Sequence, residues 1–160
     1  MIVDRIITKK KPLDIIITDI RLLTVPQYIN NKNIIPAVDR WWWLSSPYEI
    51  NRFVECVSDD GEVFRTDVHY TDGGVRPLLV GDFEPLFRGD KFELANYTWT
   101  VLSRYSALCD HSVGRTYFIG WDKEDANSYN KSNVKFWVEN WAEKNNIIKC
   151  SNDLERLLCH

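Results

Sequence analysis

The sequence predicts an α+β domain, antiparallel and β-rich, irregular in outline, with one main amphipathic helix at about residues 131–146. Three observations carry this. Short alternating or β-branched apolar segments recur from residue 15 to residue 119 between turn clusters. Beyond residue 131 the apolar period lengthens to that of a helix. The length, 160 residues with 44% hydrophobic and seven each of Trp, Tyr and Phe, allows one core and no second full domain, so residues 1–160 read as a single unit.

Residues 15–24 are rich in β-branched side chains and predict one or two strands, with Asp19 at a break. Pro26 either ends that run or opens a short helix toward Asn33. Trp41-Trp42-Trp43-Leu44 predicts a strand buried on one or both faces, stopped by Ser45-Ser46-Pro47. Residues 53–58 and 62–68 flank Asp59-Asp60-Gly61, a hairpin turn whose glycine can take positive φ. Asp72-Gly73-Gly74 gives a second turn signal, and 75–80 then runs back as a strand whose Pro77 favours an edge or an end. On this reading the first half is a β-meander.

Gly81 to Gly89 reads as a connector between two halves of the domain. After it, 91–94, 97–102 and 115–119 predict further strands, so the sheets draw on both halves. Val134, Trp137, Val138 and Trp141 fall on one helical stripe, with Ser132 as N-cap and Asn145-Asn146 as the end. A short helix at about 152–158 is expected to follow.

Charge and composition narrow the function classes. A net charge of −3 repels a phosphate backbone unless the basic residues share one face, so nucleic acid is an unlikely partner. Lys9-Lys10-Lys11 before Pro12 reads as a solvated turn. No apolar run reaches the roughly 20 residues of a membrane helix, and the first residues lack a signal-peptide layout, so a cytoplasmic protein without membrane association is expected. Cys56, Cys109, Cys150 and Cys159 form no C-x-x-C pair and read as free thiols.

Candidate chemistry is sparse. His69, His111 and His160 stand in no metal-ligand spacing. Cys109-Asp110-His111 places a thiol near a base, yet neighbouring residues on a strand point different ways. Asp59-Asp60-Gly61 and Asp122-Lys123-Glu124-Asp125 lack calcium-loop spacing, and no glycine-rich phosphate motif or G-x-S-x-G occurs. The expectation is therefore no enzyme, no catalytic residue, no metal and no cofactor.

Trp42-Trp43-Leu44-Ser45-Ser46-Pro47, then a hairpin around Asp60-Gly61, then Gly74-Val75-Arg76-Pro77, resembles an uncharacterised bacterial and mobile-element domain family with W-W-L-R-S-P and G-V-R-P signatures. Tyr97-Thr98-Trp99-Thr100-Val101-Leu102 and Ser132-Asn133-Val134-Lys135-Phe136-Trp137 are similar in kind to its Y-x-W-x-V-L strand and S-x-x-R-x-W helix. The matches span about residues 20–145; Ser45 and Lys135 stand where that family usually has Arg. The Y-x-W-x-V-L strand comes first in the family and later here, so the chain resembles a circularly permuted relative. The resemblance implies a C-type-lectin-like or formylglycine-generating-enzyme-like fold in which Trp42, Trp43, Ser46, Pro47, Gly74, Arg76, Pro77, Trp99 and Trp137 are structural. Arg76 in particular offers a planar donor fork for buried carbonyls or a carboxylate.

The functional expectation is a non-enzymatic protein-binding module. Its most specific form is a phage- or mobile-element-encoded inhibitor that occludes a host defence nuclease, in the manner of an anti-CRISPR protein; the alternative is a lectin-like module for carbohydrate or another small ligand. Tyr48, Arg52, Tyr70, Arg104 and Tyr105 are the expected contact residues, since Tyr and Arg are enriched in binding hot spots and these lie at strand ends or turns.

Overall fold

In the β3 strand, Trp42–Pro47, consecutive side chains point to opposite faces, and both faces are covered. Trp43 enters a large core with Val54, Cys56, Val75 and Phe118, whereas Trp42 and Leu44 enter a smaller one with Leu23, Tyr28, Val57, Leu78 and Leu108. The computed structural model describes residues 6–8, 15–70, 72–119 and 124–147. Lys9–Lys11, Cys150, Cys159, His160 and the expected 152–158 helix lie outside them.

The architecture is α+β and mostly β. Along the chain run β1 (Ile6–Thr8), β2 (Ile16–Arg21), α1 (Val25–Asn31), β3, β4 (Phe53–Val57), β5 (Val63–Asp67), β6 (Gly73–Val75), β7 (Leu78–Asp82), β8 (Lys91–Leu94), β9 (Tyr97–Ser103), β10 (Ser106–Cys109), β11 (Gly114–Thr116) and α2 (Asn133–Lys144). A six-stranded sheet has the order β1-β8-β9-β10-β7-β2 and a five-stranded sheet the order β11-β6-β3-β4-β5. Pairing is antiparallel except for β1 with β8 and β3 with β6.

Local chemistry explains the helices. Thr24 caps α1, its hydroxyl accepting from the Gln27 amide while the Gln27 side chain accepts from the Thr24 amide, with Pro26 in the first turn. Ser132 caps α2 by accepting from the Lys135 amide at 3.0 Å, and Asn146 closes the end at φ 57°. Val134, Val138 and Ala142 are the buried line of α2; Trp137 and Trp141 flank it half-buried, Trp141 lying 6.0 Å from Tyr97 and 6.4 Å from Trp99.

Several sequence expectations are corrected. The first half is a meander only over β3-β4-β5, because β2 pairs with β7 in the other sheet. Residues 75–80 form two strands in different sheets, split at Arg76-Pro77, where proline has no N–H to continue a ladder. Gly73-Gly74 is strand rather than turn. Asp19 marks a bulge between Ile17 and Asp19, not a break. The 81–89 stretch links β7 and β8 of one sheet, with its own Phe83 and Leu86 buried. The strand expected over 115–119 is Gly114–Thr116, while Phe118 is core against Trp43. The β10 strand, Ser-Ala-Leu-Cys, has no β-branched residue to signal it.

Gly73 is required by close approach. The Trp43 indole crosses it to donate to the Thr116 carbonyl at 2.7 Å, and a Cβ at Gly73 would sit 2.1 Å from the indole nitrogen. Gly73→Ala is expected to cost about 3 kcal/mol by overpacking. Combined with Trp43→Phe it should cost less than the sum of the two changes by at least about 0.5 kcal/mol in urea melts; strict additivity would refute the contact.

Candidate functional site

The end of β6, the Arg76-Pro77 step and the end of β10 meet at one unusual arrangement. The Cys109 amide donates to the Pro77 carbonyl at 3.0 Å, as an antiparallel ladder requires, but Pro77 cannot return the bond. Arg76 supplies the missing donor from its side chain, Nε reaching the Cys109 carbonyl at 3.1 Å. That reach buries the guanidinium, leaving Arg76 only 1% exposed, with Cζ 4.6 Å from the Trp42 ring centroid. Nη2 has no hydrogen-bond partner among the described residues.

Arg76 and Trp42 form part of the wall of a cavity of about 210 Å³. One side is α1 and its C-cap, through Tyr28 and Lys32; another is the 35–38 loop; the third is the β4–β5 turn, Val57 to Gly61. Tyr28 clasps two of these sides. Its ring meets Trp42 edge-on at 5.6 Å, and its hydroxyl donates to the Gly61 carbonyl at 2.6 Å. Burial pushes the Tyr28 hydroxyl above its ordinary value, so it stays a donor at neutral pH.

Electrostatically, the inner wall is positive and the outer turn negative. Burial lowers Arg76 to about 10, against the opposing pull of Cys109, Asp110 and Tyr28. Asp110 is already occupied, by Lys91 at 2.9 Å and by the Thr100 hydroxyl at 2.5 Å, and makes no bond to Arg76. Asp59 and Asp60 stand in the turn, where Asp60 is held below its ordinary value by the Ser58 hydroxyl and the Glu62 amide. Lys32, also in the cavity wall, lies 3.5 Å from Glu62.

The five expected contact residues lie in loops and turns of both sheets. Tyr48 and Arg52 belong to the β3–β4 connection: Arg65 stacks on Tyr48 at 4.3 Å, and Arg52 lies over Phe53 while its Nη2 bonds Asp67 at 2.6 Å. Tyr70 sits against Trp41, ring centroids 6.4 Å apart. Arg104 and Tyr105 form the β9–β10 turn in the other sheet, where Arg104 bridges Asp82 and Glu84. Among the structural residues, Ser46 accepts from the Val25 amide at 2.9 Å and so fixes the start of α1. Trp99 is core, donating to the Leu94 carbonyl, and Trp137 covers Gly114.

At Cys109-Asp110-His111 the thiol is buried and raised by that burial to about 12, while His111 lies 6.3 Å from the Tyr97 ring. A thiol so held stays protonated at neutral pH. Cys56 is buried and raised as well. No group of three or more His, Cys, Asp or Glu suited to a metal occurs among the described residues, and no described helix is long and apolar enough to cross a membrane.

No family model, curated protein or solved structure matches the chain. Arg76 and Trp42 carry a structural signal in the sequence, whereas Lys32 and the 35–38 loop carry no local signal that marks them as cavity wall. The signal for Tyr28 is Thr24 with Gln27 three residues on, a capping-box pattern that places Tyr28 in the first turns of a helix.

Asp67 gives a pH prediction. Its partial burial would raise the carboxyl, but bonds from Arg52 and from the His69 amide and ring outweigh it and hold it at about 2. Because the folded value lies below the unfolded one near 3.9, this stabilisation is complete above that value and lost as pH falls through about 2. Asp67→Asn is expected to cost about 1 kcal/mol at pH 6, Arg52 being largely exposed, and much less near pH 2. A difference in urea-melt stability that is the same at both pH values would contradict this.

Proposed function

We propose that the chain is a non-enzymatic binding module that receives part of a protein partner in the Arg76 cavity. One observation supports this most: the cavity wall includes the buried Arg76, whose guanidinium bonds a backbone carbonyl and no carboxylate among the described residues. A buried charge without a bonded counter-charge destabilises a fold, and an incoming anionic or acceptor group beside it would lower that cost. The cavity is smaller than the roughly 300–1,000 Å³ of drug-sized ligand sites, so it suits one side chain or chain end of a partner whose remaining contacts fall outside.

In its most specific form the partner is a host defence nuclease, and the chain is an inhibitor carried by a phage or mobile element and acting in the host cytoplasm. The net charge of −3 favours approach to a basic nucleic-acid groove. The small-ligand alternative draws on the same cavity. A sugar platform at Trp42 is disfavoured, because the guanidinium of Arg76 already lies over that ring.

Ala37 is exposed and forms part of the cavity wall, so Ala37→Trp should obstruct the opening without disturbing the core. Affinity purification from the host cell, with mass spectrometry, is expected to recover a stoichiometric protein with the wild type and to lose at least about 90% of it with Ala37→Trp at unchanged melting temperature, a tenfold loss of affinity being about 1.4 kcal/mol. If that protein is a nuclease, excess chain should suppress its cleavage. Equal recovery with both forms would remove the cavity from the function.

A further inference from the structure

The charges around Arg76 define what the cavity selects. We propose that it recognises a carboxylate, drawn by the Arg76 guanidinium, on a molecule whose outer end is neutral or positive; this rests on the binding reading above and names the group that the site takes.

The described groups around the guanidinium leave it no carboxylate partner. The Cys109 carbonyl accepts from Nε, Asp110 is held by Lys91 and Thr100, and the Tyr28 hydroxyl donates to the Gly61 carbonyl. The guanidinium charge has no directly bonded carboxylate, and Nη2, itself sealed from solvent, has no acceptor among the described residues. A neutral amide oxygen in the cavity would leave that charge unanswered. A carboxylate there offsets it, charge-assisted contacts being roughly twice as strong as neutral ones.

The outer wall excludes more highly charged anions. Asp59 and Asp60 stand in the β4–β5 turn, with Glu62 beside Lys32, so a dianionic phosphate would meet like charge on entering. The same acids favour a ligand that carries its positive or neutral end outward. Ile35, Pro36, Val38 and Val57 supply apolar wall between the two charged zones. A carboxylate on a short apolar body is the chemistry that fits, whether it comes from a free acid, a peptide C-terminus or an internal acidic side chain.

The test is 1H–15N NMR on the full chain, following the Arg76 Nε–H and the Trp42 indole. Isovalerate represents a free acid, N-acetyl-leucine a peptide C-terminus and N-acetyl-glutamic acid α-amide an internal acid; N-acetyl-leucinamide and inorganic phosphate are the controls. Saturable shifts are expected with the carboxylates, and at least about tenfold weaker binding with the amide and phosphate. Lysyl-leucine should bind several-fold more tightly than glutamyl-leucine. Lys32→Glu should weaken and Asp59→Asn strengthen carboxylate binding, each at an unchanged melting temperature, since both residues are exposed.

Which carboxylate binds most tightly identifies the source. Equal binding of the amide, tighter binding of phosphate, or no shift with any probe overturns the carboxylate assignment. In each case the binding module stands if Ala37→Trp loses its partner. If the carboxylates bind but Ala37→Trp retains the partner, the protein-partner reading fails and the site is one for a free small acid.

Discussion

The fold turns on the step from Val75 to Leu78, where the chain leaves one sheet and enters the other. Two strands in different layers are joined there by two residues, and one of them, Pro77, cannot complete its pairing with Cys109. Arg76 restores the pairing with its side chain, and in doing so carries a charge into the interior between Trp42 and the end of β10. The two sheets, the smaller core and the cavity all meet at this residue. A local repair of the backbone ladder thus places a charged side chain, only 1% exposed, in the interior.

The tryptophan strand supplies the complementary constraint. Because β3 is buried on both faces, its alternation divides the apolar interior in two: Trp43 toward β11 and Phe118, Trp42 toward α1 and Arg76. Gly73 exists as glycine to let the Trp43 indole pass, and Ser46 fixes α1 over the Trp42 face. The helix in turn brings Tyr28 and Lys32 to the cavity. The cavity and the packing are therefore both positioned by this strand.

Much of this is legible in the sequence where a local signal decides the structure. The β4–β5 hairpin follows from Asp60-Gly61, which takes φ 88° at the glycine, and α2 follows from Ser132 and the Val134–Val138 spacing. Strand partners are another matter. Nothing in 75–80 says that its two ends belong to different sheets, since pairing is a long-range choice made by burial of both layers. Arg76 was legible as a buried fork donating to a carbonyl; that a nitrogen is left over depends on Asp110 being taken by Lys91, a contact 19 residues away in sequence. Tyr48, Arg52, Tyr70, Arg104 and Tyr105 share a residue type and turn positions, and those features do not determine that they share a surface.

We propose that the buried Arg76 charge is kept for a ligand, beyond the structural bond to Cys109 and the contact with Trp42. Arg76→Met keeps similar volume without the charge, so urea melts together with the carboxylate titration test the claim most directly. The expected result is a stability within about 1–2 kcal/mol of wild type, the loss of one hydrogen bond being largely offset by removal of an unpaired buried charge, and no response of the Trp42 indole to isovalerate. A loss of about 3–5 kcal/mol, the range for breaking a buried ion pair, or an undiminished isovalerate response would contradict it.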